Sequence, residues 1–170
     1  MYREYNTLIF YNTNMNRRIR SRRGFTLLEI MLVVVIIGVM ASIAIPTFKK
    51  LRETSQNKRF MNDLRLVSNA FQIYALENGE HPADVSRGQT PAGMANYLPK
   101  GFNFSDKCAI DGTWDWENGA FGVTAGLSVK TPNRDDAQMK EIDADIDDGN
   151  LSTGQFIKTE SDRYTWVIEE

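Results

Sequence analysis

The stretch GFTLLEIMLVVVIIGVMASIAIPTF, residues 24–48, decides the fold of this chain. Its apolar run, residues 25–45, has 21 residues, and only Thr26, Glu29 and Ser42 among them are polar. As a helix the run is about 31 Å long, which is enough to cross the hydrocarbon core of a bilayer. We therefore predict a transmembrane helix that carries one carboxylate near its start.

The position of Glu29 needs a physical explanation. A carboxylate inside a membrane costs at least about 2.5–3.5 kcal/mol, so it should lie near the interface or have a partner. Local cations precede the apolar run in RRIRSRRG, residues 17–24. If the chain is cut after Gly24, the new α-amine of Phe25 is largely cationic at pH 7. That amine could pair with Glu29 within one helix or between packed copies, where the attraction would fix their axial offset.

The apolar run differs from a usual secretory signal. Such a signal has a shorter apolar stretch with a small-residue cleavage site after it. Here the run is longer, and Pro46, Thr47, Phe48 and Lys49 follow it. Two possibilities stay open: an uncut membrane anchor, or a chain that is cut before the apolar run.

Charge and cysteine content exclude several classes of protein. Residues 1–24 hold six of the 20 Lys and Arg but one of the 22 acidic residues, so the rest carries 14 basic and 21 acidic side chains. A basic N-terminal segment before an apolar run predicts that the N-terminus stays in the cytoplasm and that the rest of the chain is exported. The acidic remainder argues against a nucleic-acid partner.

One cysteine, Cys108, allows no intramolecular disulfide, and one histidine, His81, excludes a multi-histidine metal centre. We interpret both as ordinary loop or core residues.

The segment RGFTLLEIMLVVVIIGVMASIAIP, residues 23–46, resembles the N-terminus of type IV pilins and of type II secretion pseudopilins. The resemblance implies that a prepilin peptidase cuts between Gly24 and Phe25 and methylates the amine of Phe25. It implies that Glu29 acts in filament assembly and that Pro46 bends the helix. Like subunits in a helical filament and an inner-membrane assembly platform are the partners it implies.

The leader preceding the cut is residues 1–24. Met15 begins MNRRIRSRRG, a ten-residue leader that fits the family better than 24 residues. We therefore expect translation to start at Met15. If residues 1–14 are made, we expect a disordered cytoplasmic tail that is removed with the leader.

The segments after the leader predict an α+β fold. Residues 25–46 form the transmembrane and assembly helix, and Pro46 should kink it. Residues 47–79 continue as an amphipathic helix, which Asn78-Gly79 ends. Its apolar seam follows the four-three spacing of a core-facing helix: Phe60, Leu64, Val67, Phe71 and Tyr74. Residues 80–170 form a globular periplasmic part.

Period-two patterns in the globular part predict a small antiparallel sheet packed on that helix. Strands are expected at residues 113–117, 121–129 and 164–168. A short helix is expected at residues 91–98. Trp114 and Trp116 share one strand face, where we expect them to pack in a core or between subunits.

The acidic stretch at residues 134–148 predicts another short helix. Asp143, Asp145, Asp147 and Asp148 follow at its end. A helix-loop-helix calcium loop needs glycine at position six and glutamate at position twelve, where this chain has Asp148 and Gly154. We interpret the stretch as a solvated acidic helix end and predict no metal site, with calcium as the alternative. A bound cation would offset acidic charge at a helix C-terminus.

These patterns favour a structural subunit of a pilus-like filament over an enzyme, since the sequence has no catalytic constellation. A type II secretion pseudopilin is preferred to a pilus-forming pilin, because the exported domain is small and no disulfide is possible. The chain would be a single-pass protein of the bacterial inner membrane, with a periplasmic or extracellular domain. An uncut membrane-anchored binding domain is one alternative. A membrane-tethered hydrolase that uses Asp143, Asp145 and Asp147 is another.

Overall fold

A computed structural model describes residues 24–170 of the chain. The predictions about the leader and Met15 therefore fall outside the described residues, apart from Gly24. The elements follow in the order α1 (Leu27–Asn78), β1 (Thr113–Ala120), β2 (Val123–Lys130), α2 (Asp136–Ile146), β3 (Phe156–Glu160) and β4 (Arg163–Glu169). The chain divides between Ile43 and Ala44 into two compact units.

The described part of the first unit is the start of helix α1. The most apolar 18-residue window of α1 has a mean hydropathy of 2.8, and none of it is buried within the chain. By length and composition, α1 can cross a membrane.

Helix α1 is assigned without a break through Pro46 and ends at Asn78. Gly79 follows with a φ of 79°, and its N–H donates to the carbonyl of Ala75. A positive φ suits glycine because it has no Cβ, so the predicted stop at Asn78-Gly79 is confirmed. The bend at Pro46 stays a prediction.

The core of the second unit lies between α1 and one face of the sheet. Phe60, Leu64, Val67 and Phe71 are buried, while Tyr74 is half-buried. The four strands are antiparallel in the order β1-β2-β4-β3. The predicted α+β class, a long N-terminal helix packed on a small antiparallel sheet, is confirmed.

Two tryptophans of β1 join the sheet to the helix. Trp114 stacks on Phe60 with ring centroids 5.4 Å apart, and Trp116 stacks on Phe71. The indole N–H of Trp116 donates to the carbonyl of Pro82 at 2.9 Å, so the buried polar atom is satisfied. The expectation that both tryptophans pack in a core is confirmed.

The opposite face of the sheet holds a buried ion-pair cluster. Because side chains alternate along a strand, Asp115 and Glu117 point away from the two tryptophans. The guanidinium of Arg163 lies 2.9 Å from Asp115 and also contacts Glu117, and all three side chains are at most 6% exposed. Glu160 adds a third carboxylate, 3.0 Å from Arg163. Burial raises the pKa of Asp115, although Arg163 acts in the opposite direction.

Two local predictions are wrong, and one strand, β3, was not predicted. The strand expected at residues 121–129 begins at Val123, because Phe121 and Gly122 form the β1–β2 turn with φ of 52° and 83°. The helix expected at residues 91–98 is one 3₁₀ turn, Met94–Asn96.

Candidate functional site

The first turn of α1 provides partners for Glu29. The carboxylate of Glu29 accepts a hydrogen bond from the backbone N–H of Thr26 at 3.3 Å. In return, the N–H of Glu29 donates to the hydroxyl of Thr26 at 3.2 Å. This is the reciprocal arrangement of a capping box, which satisfies free N–H groups at a helix start. We missed it, although a threonine three residues before a glutamate is its sequence signature.

The predicted processing site lies directly before this turn. Gly24 and Phe25 precede the helix, and the side chain of Phe25 is 79% exposed. Exposed, non-helical backbone is the kind of segment that peptidases cut. Within the described residues, the segment that carries the Gly24–Phe25 bond is therefore exposed and non-helical.

A second candidate site lies where α2 ends. Carboxylate oxygens of Asp143, Asp147 and Asp148 lie within 4.8 Å of one another. Asp143 and Asp147 meet because residues four apart share a helix face. Helix α2 ends at Ile146, and the turn that follows places the carboxylate of Asp148 beside those of Asp143 and Asp147.

Asp143 is the unusual member of this cluster. Its side chain is fully buried, and neither of its oxygens has a hydrogen-bond partner among the described residues. Burial, followed by the charges of Asp147 and Asp148, raises the pKa of Asp143 from 3.8 to about 6. The interpretation of the stretch as a solvated acidic helix end is therefore wrong for Asp143.

The segment after α2 closes over the cluster through the other two carboxylates. One oxygen of Asp147 accepts from the backbone N–H groups of Gln155 and Phe156. Asp148 accepts from the N–H of Asn150 at 2.8 Å and from the hydroxyl of Thr153 at 2.7 Å. The Thr153 hydroxyl is the main reason that the pKa of Asp148 is lowered.

Glycine is required at one point of this segment. Gly154 has a φ of 81°, and a Cβ at this position would collide with the carboxylate of Asp147. The backbone can therefore approach Asp147 closely only without a side chain at residue 154.

The three carboxylates fit a divalent cation that prefers oxygen ligands. An unpaired, buried carboxylate is costly unless its charge is compensated. Calcium takes carboxylate, carbonyl and water oxygens in a flexible geometry, so it suits this donor set. Asp143 would be the buried ligand, with Asp147 and Asp148 beside it.

Asp145 does not belong to this cluster. It is exposed and lines a groove with Lys58, Asn62 and Arg65 of α1. The structure does not bring together Asp143, Asp145 and Asp147, the set that an alternating calcium loop or a hydrolase site would use. Asp148 replaces Asp145.

Comparison with known proteins finds one family model that matches the N-terminal segment. Residues 19–45 match the model of the prokaryotic N-terminal methylation motif. This segment is thus similar to the N-terminus of prokaryotic proteins that are methylated there. The pilin-like segment includes Gly24, Phe25 and Glu29.

Curated proteins similar to this chain include type II secretion system core proteins G of three bacteria. The protein of Escherichia coli (strain K12) is 36% identical over 89 residues, which are 48% of this chain and 61% of that protein. The protein of Klebsiella pneumoniae is 39% identical over 87 residues, 51% of this chain and 62% of that protein. The protein of Dickeya chrysanthemi is 34% identical over 90 residues, which are 49% of this chain and 59% of that protein. The chain thus spans less than two thirds of these relatives, and no solved structure matches it.

Proposed function

We propose that this chain is a pseudopilin, a structural subunit of a type II secretion filament. The observation that carries the proposal is the exposed apolar start of α1, with one carboxylate in its first turn, joined to a folded α+β domain. A helix of this kind must be covered by lipid or by other apolar helices. Neighbouring copies of the same helix can replace lipid without exposing apolar surface to water.

Cleavage after Gly24 gives Glu29 a new partner. The carboxylate already lies 3.3 Å from the N–H of Thr26, one residue from the amine that cleavage would create at Phe25. Removal of the leader would also remove its arginines and leave the methylated amine as the nearest cation. Pairing of this amine with Glu29 of an adjacent copy would set the axial offset of the helices in a filament.

The partners and location follow from the same proposal. Prepilin peptidase would process the chain, like subunits would surround α1, and an inner-membrane platform would drive assembly. The domain would face the periplasm, and the single helix would hold the subunit in the inner membrane before assembly. The names of the relatives favour a secretion filament over a pilus-forming type IV pilin.

We also propose that calcium stabilises the domain at Asp143, Asp147 and Asp148. The ion would supply the positive charge that the buried carboxylate of Asp143 lacks. Asp147 and Asp148 would link it to the segment ending at Phe156, because they already bind backbone N–H groups there. The ion would thus cross-link the end of α2 to the segment that follows it, as a disulfide cross-links parts of other domains.

Mass spectrometry of the membrane-extracted protein tests the pseudopilin proposal. A mature chain that begins with methylated Phe25 is the expected result. An intact Gly24–Phe25 bond would favour the uncut membrane-anchored binding domain instead.

Filament yield from Glu29→Gln and Glu29→Leu provides the second arm of the test. Both variants should still insert in the membrane, but they should assemble poorly because the amine has no charged partner. Met31→Leu, a conservative change two residues away in the same apolar run, is the matched control. Normal assembly of the Glu29 variants would remove this carboxylate from the mechanism.

A further inference from the structure

A cleft of about 370 Å³ lies between α1 and α2, near the point where the apolar run of α1 ends. Pro46, the residue directly after that run, is part of its lining. The charged and amide side chains of the cleft are Lys49, Lys50, Glu53, Asn57, Gln138 and Glu141.

The cleft contains two cations and two anions that do not pair with each other. Across residues 24–170, the side chains of Lys49, Lys50, Glu53 and Glu141 make no ion pair within 4.0 Å and no hydrogen bond. All four are exposed. The cleft therefore presents separate positive and negative groups to a ligand.

The walls of the cleft are held together by Arg134. Its Nε donates to Asn57 at 3.0 Å and its Nη2 donates to Gln56 at 3.0 Å, so the start of α2 is tied to α1. A capping box between Asp135 and Gln138 fixes the first turn of α2. The backbone positions that carry the charged side chains are therefore tied to one another by these contacts.

If the apolar run spans the membrane, the two lysines of the cleft come soon after its end in the sequence. Lys49 and Glu53 follow Ile45 by four and eight residues, which is about 6 Å and 12 Å along a helix. The headgroup layer on each side of a bilayer is about 5–8 Å thick, and helix tilt shortens these depths. Lys49 and Lys50 thus follow the predicted membrane run closely enough in sequence to meet lipid phosphates, and Glu53 follows Lys49 by four residues.

We propose that this cleft binds the headgroup of phosphatidylethanolamine. Lys49 and Lys50 bind its phosphate, and Glu53 and Glu141 accept hydrogen bonds from its primary ammonium. A headgroup that has a phosphate but no amine leaves the negative charges of Glu53 and Glu141 without a positive partner. The trimethylammonium of phosphatidylcholine has no N–H to donate, so it binds the glutamates less well. The inference goes beyond the filament role and rests only on membrane anchoring from the proposed function.

Native mass spectrometry of the full chain in mild detergent tests this site. The chain is titrated with phosphatidylethanolamine, phosphatidylglycerol and phosphatidylcholine of identical acyl chains. We expect phosphatidylethanolamine adducts at roughly tenfold lower lipid concentration than phosphatidylcholine adducts, the ratio that about 1.4 kcal/mol produces. Lys49→Gln with Lys50→Gln should weaken binding of phosphatidylethanolamine and phosphatidylglycerol together. Glu53→Gln with Glu141→Gln should remove only the preference for phosphatidylethanolamine.

The neighbouring groove supplies a matched control. Lys58 and Asp145 line it on the same two helices, farther along α1 from the apolar run. Lys58→Gln with Asp145→Asn should leave the lipid preference unchanged. Equal binding of the three lipids, or a preference that the cleft variants do not alter, would overturn the proposal. Filament assembly is not measured here, so failure of the filament proposal would not be mistaken for failure of the lipid site.

Discussion

The indole of Trp116 lies face to face with the phenyl ring of Phe71, with ring centroids 3.8 Å apart and planes 12° apart. Both side chains are fully buried. The contact joins strand β1 to helix α1 through two residues that are 45 positions apart in the chain. It makes the second half of α1 part of the domain core.

Phe71→Ala should destabilise the domain strongly. Loss of a buried phenylalanine costs about 3–5 kcal/mol, through lost burial and the cavity that remains. Urea unfolding followed by tryptophan fluorescence measures the change. Gln72→Ala, at the exposed neighbouring position, should change stability by less than about 0.5 kcal/mol. A similar loss for the two variants would show that the ring contact is not the cause.

Arg163→Met should also destabilise the domain, through uncompensated charge. Removal of one partner of a buried ion pair costs about 3–5 kcal/mol, because the other charge stays buried. Here Asp115 and Glu117 would both lose the guanidinium. Chemical unfolding of the variant measures the loss.

The same cluster offers a rescue experiment. Asp115→Asn with Glu117→Gln in the Arg163→Met background should recover part of the stability, because the buried charges are then absent. If the triple variant is no more stable than Arg163→Met, charge burial is not the source of the loss.

Calcium should raise the melting temperature of the domain. At one hundred times its Kd, a ligand that binds only the folded state contributes about 2.7 kcal/mol. For a domain of this size, each kcal/mol raises the melting temperature by about 2–8 °C. Thermal melts with calcium and with a chelator measure the shift. Asp143→Asn should abolish it, whereas Asp145→Asn, outside the cluster, should keep it.

The metal-free domain should lose stability as the pH rises from about 4 to about 6. The pKa of Asp143 is 3.8 in a free chain and about 6 in the fold, so the folded state binds more protons in this interval. Stability then falls as the pH rises through the folded pKa, and the effect of Asp143 levels off about one pH unit above it. Urea midpoints of the wild type and of Asp143→Asn, compared in chelator, isolate the effect. A wild-type advantage that grows with pH would contradict the raised pKa.

The sequence predicts the helix and its core face well, because periodicity there is strong. The four-three spacing from Phe60 to Phe71 matches the buried face of α1. Strand β3 has a weaker signal: it is five residues long, and only Phe156 in it is buried. Its place in the sheet comes from pairing with β4, which local sequence does not show. The alternation of apolar residues in the sequence includes Phe121, but the positive φ of Phe121 and Gly122 forms a turn there and the strand begins after it.

The acidic site was only partly predictable. Helical spacing separates Asp145 from Asp143 and Asp147, and this could be read from the sequence. The burial of Asp143 could not, because it depends on the segment after α2 folding back through Asp147 and Asp148. The hydrogen bonds between Thr26 and Glu29 were predictable in principle, since they need only local spacing.

The buried side chains of α1 begin at Phe60, while its apolar start contributes nothing to the domain interior. The globular part can therefore fold without the apolar start of the helix in its interior. In the proposed filament role, transfer of that apolar segment from lipid to neighbouring helices would change its surroundings and leave the domain interior intact.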